Sequence, residues 1–221
     1  MTVQKQERGN ENFKGAIFDL DGTLLDSMGV WAKIDEEFLS ARGFEVPEDY
    51  QEKAGHLGLR GTAEYTIERF GFSDTPEELM DLWNRMAIKE YTYNIQLKPG
   101  AKAYLQKLRD AGVELAVATA SPLSYVMPAL ERCGIKDWFR CIVSVDEVSR
   151  GKGFPDVYLL AAERLGLSAK DCAVFEDILL GIKGAQAGGF RAIGVAEEAS
   201  KKYWEEMKAL ADGWVEDFRD L

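Results

Sequence analysis

Ala16-Ile17-Phe18-Asp19-Leu20-Asp21-Gly22-Thr23 is the stretch on which the fold of this 221-residue chain turns. Ala16-Ile17-Phe18 is a short apolar run of strand character, and two carboxylates separated by one residue follow it directly. Side chains at i and i+2 leave a strand on the same side, so Asp19 and Asp21 are expected to face one reacting centre. Gly22 lets the backbone turn sharply just behind them. Taken alone, the pair admits joint metal ligation, an acid/base couple or coincidence.

The chain after Gly100 gives the strand its context. Helical patterns are expected over 101–108, 122–133, 155–165 and 178–187, and short apolar strands over 113–118, 141–145, 172–175 and 192–195. Such β-α alternation with nearly all-apolar strands predicts an α/β fold, a Rossmann-like parallel sheet covered on both faces. From Met28 to Ile95 the rhythm breaks. Trp31, Ile34, Phe38 and Leu39 share one helical face, as do Leu79, Leu82, Trp83 and Met86, and 62–70 is a shorter helix. Residues 28–95 therefore form an α-helical insertion between the two parts of the core, 1–27 and 96–221.

Composition narrows the chemistry. At 46% hydrophobic and 29% charged the chain can build a core, and no apolar run reaches the roughly 20 residues of a bilayer span. The opening 14 residues are polar and lack the apolar centre of a secretory signal, so a frayed terminus and a cytoplasmic protein are expected. A net charge of −11 repels phosphate backbones and argues against nucleic acid, though not against a small anionic substrate. Cys133, Cys141 and Cys172 lack the spacing of a metal site and are expected to be reduced thiols. His56 is the only histidine, so carboxylates are the natural agents for acid–base work.

In open parallel sheets ligands bind beyond the carboxyl ends of the strands, and three more such ends carry chemistry. The strand over 113–118 runs into Thr119-Ala120-Ser121-Pro122, a hydroxyl beside the backbone N–H groups of a helix start, with Ser121 as N-cap and Pro122 at the first helical position. The plainer alternative there is a simple capped helix. After 141–145 comes Gly151-Lys152-Gly153, whose lysine can balance several negative charges or merely be solvated. The strand over 172–175 ends in Glu176-Asp177, which is either an acidic helix cap or, with Asp19, an oxygen-rich Mg²⁺ site. Agreement among the strand ends favours the metal.

The ordered set Asp19-Leu20-Asp21-Gly22-Thr23, Thr119, Lys152 with Pro155-Asp156, and Glu176-Asp177 followed by Gly181 resembles the four motifs of the haloacid dehalogenase superfamily. The helical block resembles the cap domain of its β-phosphoglucomutase-like branch. The resemblance covers almost the whole chain past the first dozen residues and implies a division of labour. Asp19 would be the nucleophile that forms an aspartyl-phosphate, and Asp21 the acid and then the base. Mg²⁺ would sit on the Asp19 carboxylate, the Asp21 backbone carbonyl and Asp177, with Glu176 close by. Thr119, Ala120 and Lys152 would bind the phosphoryl group. Gly153 and Ile178 stand where many relatives have proline and serine, and neither change removes a catalytic atom.

Within that family Asp21 argues against carbon–halogen cleavage, which needs no such acid. Phosphatase and sugar phosphomutase then compete. The mutases use a cap histidine about ten residues past the second aspartate, and this chain has Trp31 there. In Gly55-His56-Leu57-Gly58-Leu59-Arg60-Gly61, Arg60 matches the arginine of the mutase specificity loop and His56 falls where its lysine would be. Phosphatase is favoured, with a small phosphorylated metabolite as substrate, His56 and Arg60 as cap contacts, and a monomeric enzyme. Asp26-Ser27 is expected to cap the first cap helix, and a non-catalytic binding protein is disfavoured because every expected catalytic side chain is present.

Overall fold

The computed structural model describes residues 13–54 and 57–221. The frayed opening segment, apart from its last residues, and the substrate contact expected of His56 lie outside the described residues. The chain divides into two compact units, one made of Met1–Ser27 with Ile95–Leu221 and the other of Met28–Asn94. Among the described residues the strands are β1 Gly15–Phe18, β2 Glu114–Thr119, β3 Cys141–Ser144, β4 Cys172–Glu176, β5 Arg191–Val195 and β6 Gly213–Val215. The helices are α1 Val30–Ser40, α2 Tyr50–Ala54, α3 Gly58–Phe70, α4 Pro76–Tyr93, α5 Ala101–Asp110, α6 Leu123–Arg132, α7 Asp156–Leu165, α8 Leu179–Ala187 and α9 Trp204–Leu210. None of them is long and apolar enough to cross a membrane.

The first unit is an α/β core around a parallel sheet in the order β3-β2-β1-β4-β5-β6. Every residue of β1 and β4 is buried, which is why these strands read as unbroken apolar runs rather than alternating ones. Their side chains still alternate between two faces. On one, Phe18 stacks on Phe175 with ring centroids 4.4 Å apart, and Tyr104 of α5 meets both edge-on. On the other, Ile17, Ala116 and Val174 pack with Val157, Tyr158 and Ala161 of α7 and Ile182 and Ala185 of α8. From β1 the chain builds outward through β2 and β3, then returns to place β4 on the opposite side of β1. The carboxyl ends of β1 and β4 therefore flank the switch point, where a crevice opens in such sheets.

The second unit is helical. Phe38 of α1 lies edge-on to Trp83 of α4 at 5.4 Å, beneath the Arg42 guanidinium at 4.0 Å. Thr75 and Glu78 form a reciprocal capping box at the start of α4, with Pro76 in the first turn. One local expectation changes here, and one element was not foreseen. The short helix α2 carries too few residues to print a period on the sequence. Gly58, Arg60 and Gly61 belong to the first turn of α3 rather than to a glycine loop, and Arg60 reaches Glu64 one turn on, a pairing that helical spacing supplies.

Candidate active site

β1 ends at Phe18, so Asp19 and Asp21 do not share a strand face as the i, i+2 spacing suggested. The Leu20 carbonyl accepts the backbone N–H groups of Leu24 and Leu25 at 2.9 and 2.7 Å, and Gly22 turns the chain at a φ of 81°. This tight turn separates the two carboxylates chemically. Asp19 stays on the sheet axis, its N–H donating to the Phe175 carbonyl at 3.0 Å. Asp21 accepts Ser27 Oγ on Oδ1 and Ser121 Oγ on Oδ2, each at 2.6 Å.

Those two serines correct the capping expectations. α1 begins after Gly29 without a side-chain cap, and α6 begins after Pro122 without one. Ser27 and Ser121 donate their hydroxyls to Asp21 instead, and both lie ahead of the residues that occupy the N-cap positions, Gly29 and Pro122. Neither serine's role was visible in the sequence, where both sit beside helix starts and satisfy the pattern of a cap.

Glu176 closes β4 and Asp177 follows it. Lys152 comes from the segment between β3 and α7, and its ammonium donates to Asp19 Oδ1 and, at 2.6 Å, to Glu176 Oε1. Glycines on α8 make this possible. A Cβ on Gly184 would stand 2.0 Å from the Lys152 carbonyl oxygen, and one on Gly181 would stand 2.5 Å from the Glu176 carboxyl. The helix therefore lies directly against the backbone that delivers Lys152. Tyr158 of α7 donates to Glu176 Oε1 at 2.8 Å, and Thr23 donates to Asp177 Oδ1 at 3.1 Å. Tyr158 had no sequence signal beyond that of a core aromatic.

Asp19, Glu176 and Asp177 are all buried, and one oxygen from each lies within 4.8 Å of the others. Three carboxylates thus face one ammonium. Burial, then the Asp19 and Glu176 charges, push the Asp177 carboxyl up to about 8, and burial pushes Glu176 up to about 7 against the pull of Lys152. Burial also raises Asp19, opposed chiefly by Lys152. Burial works against the Lys152 ammonium, yet the Asp19 and Glu176 carboxylates hold it above its ordinary range. Glu176 Oε2 and Asp177 Oδ2 are buried with no hydrogen-bond partner. Unpartnered buried carboxylate oxygens in a net-negative pocket are the donor set of a hard divalent cation, and Mg²⁺ fits them. The Asp21 carboxylate is outside this group, so any share it has in metal binding would come through its main chain.

Thr119 is buried at the end of β2, its hydroxyl accepting the Ser121 N–H at 3.0 Å. Ala120 is exposed beside it. β2 pairs with β1, so Thr119 ends the strand beside the one that Asp19 follows. In the helical unit, Arg60 is exposed and bridges to Glu77 at 2.5 Å, and Trp31 is 40% exposed on α1.

Residues 16–195 match the family model of the haloacid dehalogenase-like hydrolases. The chain is 28% identical over 189 residues to the fructose-1-phosphate phosphatase of Escherichia coli K12, covering 84% of this chain and 97% of that protein. It is 31% identical over 199 residues to the β-phosphoglucomutase of Bacillus subtilis, covering 83% of this chain and 84% of that protein. Among solved structures, CbbY from Rhodobacter sphaeroides in complex with phosphate has a TM-score of 0.73 to it, at 24% identity over 93% of this chain and 95% of that one. That likeness shows a shared fold.

Proposed function

The chain belongs to the haloacid dehalogenase-like hydrolases and is a phosphoric monoester hydrolase, and we propose that it is a Mg²⁺-dependent phosphatase of small phosphorylated sugars or similar metabolites. The observation that carries this is the convergence of Asp19, Thr119, Lys152, Glu176 and Asp177 at the carboxyl edge, with Glu176 Oε2 and Asp177 Oδ2 left unpartnered. Asp19, Glu176 and Asp177, with the Asp21 main-chain carbonyl, would hold Mg²⁺, which when bound offsets charge on the phosphoryl oxygens.

An Asp19 carboxylate oxygen attacks phosphorus, forming an aspartyl-phosphate as the ester P–O bond breaks. Asp21, protonated for this step, gives its proton to the leaving alkoxide. Water then attacks the same phosphorus, Asp21 takes a proton back, and the Asp19 carboxylate is released with inorganic phosphate. Lys152 and the Thr119 hydroxyl hold the equatorial oxygens, with the Ala120 N–H beside them, because phosphoryl transfer depends chiefly on positioning and charge compensation. Two carboxylates in such unlike surroundings, one among acids and an ammonium, the other between serine hydroxyls, suit separate roles.

Substrate choice would rest with the helical unit acting as a cap, where His56 and Arg60 are the candidates. Arg60→Ala should raise KM for a substrate with a second anionic group and leave an aryl phosphate unaffected. Likeness to the Bacillus subtilis mutase keeps one alternative, sugar phosphomutase activity, in view. Incubation with β-glucose 1-phosphate separates the two: free phosphate supports hydrolysis, and glucose 6-phosphate supports a mutase. Asp19→Asn should abolish Mg²⁺-dependent release from p-nitrophenyl phosphate, and retained turnover would remove Asp19 as nucleophile.

A further inference from the structure

We propose that Tyr158 is a positioning residue for the reaction, fixing the Glu176 carboxylate and through it the cation site. The inference rests on the reading of the acidic cluster as a Mg²⁺ site. Glu176 is used unevenly. Its Oε1 receives two donors, Lys152 Nζ at 2.6 Å and Tyr158 OH at 2.8 Å, while its Oε2 is buried with no hydrogen-bond partner. A carboxylate beside an ammonium alone is free to rotate and offer that ammonium either oxygen or both. A second donor from a different direction removes this freedom and leaves Oε2 for another positive group.

The ring that carries the hydroxyl cannot follow such a rotation. Tyr158 is fully buried in the layer between α7 and the sheet, and its ring meets Phe190 edge-on with centroids 6.2 Å apart. Among those apolar neighbours a phenylalanine would fill the same space. A hydroxyl buried there is unfavourable unless it is bonded, and the bond it makes is to Glu176. The oxygen is thus explained by the site rather than by packing of the core. Tyr158 touches no reacting group and acts through Glu176, as the partners behind metal ligands commonly do.

The test compares wild type, Tyr158→Phe and Phe190→Leu as full chains, stripped with EDTA and titrated with MgCl₂ by calorimetry without substrate. Phe190→Leu loosens the ring's surroundings and leaves the hydroxyl in place. Tyr158→Phe should weaken Mg²⁺ binding by about 10- to 100-fold, whereas Phe190→Leu should stay within about twofold of wild type. A Tyr158→Phe protein that binds Mg²⁺ as wild type does would overturn the proposal. Equal losses in the two variants would also overturn it, because disturbed packing would then explain both. A wild-type protein that binds no Mg²⁺ would instead remove the cation site itself and this inference with it.

Discussion

Asp177→Asn should stabilise the metal-free protein and at the same time end its response to Mg²⁺. Asp177 is 1% exposed, one oxygen accepts from Thr23, and the other has no partner. Burial, with the Asp19 and Glu176 charges behind it, raises its carboxyl from 3.8 to about 8. The folded state therefore keeps a proton that the unfolded chain gives up above pH 3.8, and stability falls as pH rises toward 8. Each pH unit in that window is worth about 1.4 kcal/mol, so ionisable Asp177 costs up to about 4 kcal/mol near pH 7 and almost nothing near pH 4. Asparagine has the same shape, keeps the bond from Thr23 and carries no charge at any pH.

Urea denaturation in EDTA between about pH 4 and about pH 7 reads this directly. The variant should be the more stable protein near neutrality, with a gap that closes on acidification. Adding Mg²⁺ to about 100 times its dissociation constant should stabilise wild type by about 2.7 kcal/mol and leave the variant unchanged. A gap independent of pH would refute the reasoning, since it would mean that packing and not charge separates the two proteins. A wild type more stable than the variant in EDTA near pH 7 would refute it as well.

Two further outcomes follow from the same geometry. Ser121→Ala removes a 2.6 Å donor from Asp21 Oδ2; a hydrogen bond to a charged group is worth about 1.5–3 kcal/mol, so kcat on an aryl phosphate should fall about tenfold or more with KM little changed, and an unaltered kcat would show that the hydroxyl does not orient Asp21. Gly184→Ala forces α8 away from the Lys152 carbonyl, and a displacement of about 1 Å should lower kcat about 100-fold and stability by about 1–3 kcal/mol, measured by steady-state kinetics and thermal unfolding.

The sheet was legible because its strands are buried on both faces and leave uninterrupted apolar runs, as in Ala16-Ile17-Phe18 and Cys172 to Phe175. β6 was not, since Gly213–Val215 is three residues long and prints no pattern. In the site, Asp19, Glu176 and Asp177 were legible because acids at the ends of buried apolar strands contradict their surroundings, and Lys152 because it lies between two glycines in the loop after β3. Ser27, Ser121 and Tyr158 were not, because each satisfies a plainer rule, as helix cap or core aromatic, and only distance reveals the second partner. Nothing in the structure explains the glycine at 153, since a Cβ there would meet only the exposed Leu180 side chain.

Charge explains why an acidic chain with an acidic pocket suits a phosphate ester. With Asp19, Glu176 and Asp177 ionised, the one ammonium of Lys152 leaves the cluster about two charges negative, and a dianionic phosphoryl group would be repelled. A divalent cation held by Asp19, Glu176 and Asp177 would cancel that excess and would leave Lys152 available to the incoming oxygens. A cation there would favour the ionised Asp19 that a nucleophile must be, while Asp21 stands apart between two serine hydroxyls. Removing the cation should therefore abolish both phosphate binding and attack, even though every side chain that touches the substrate remains in place.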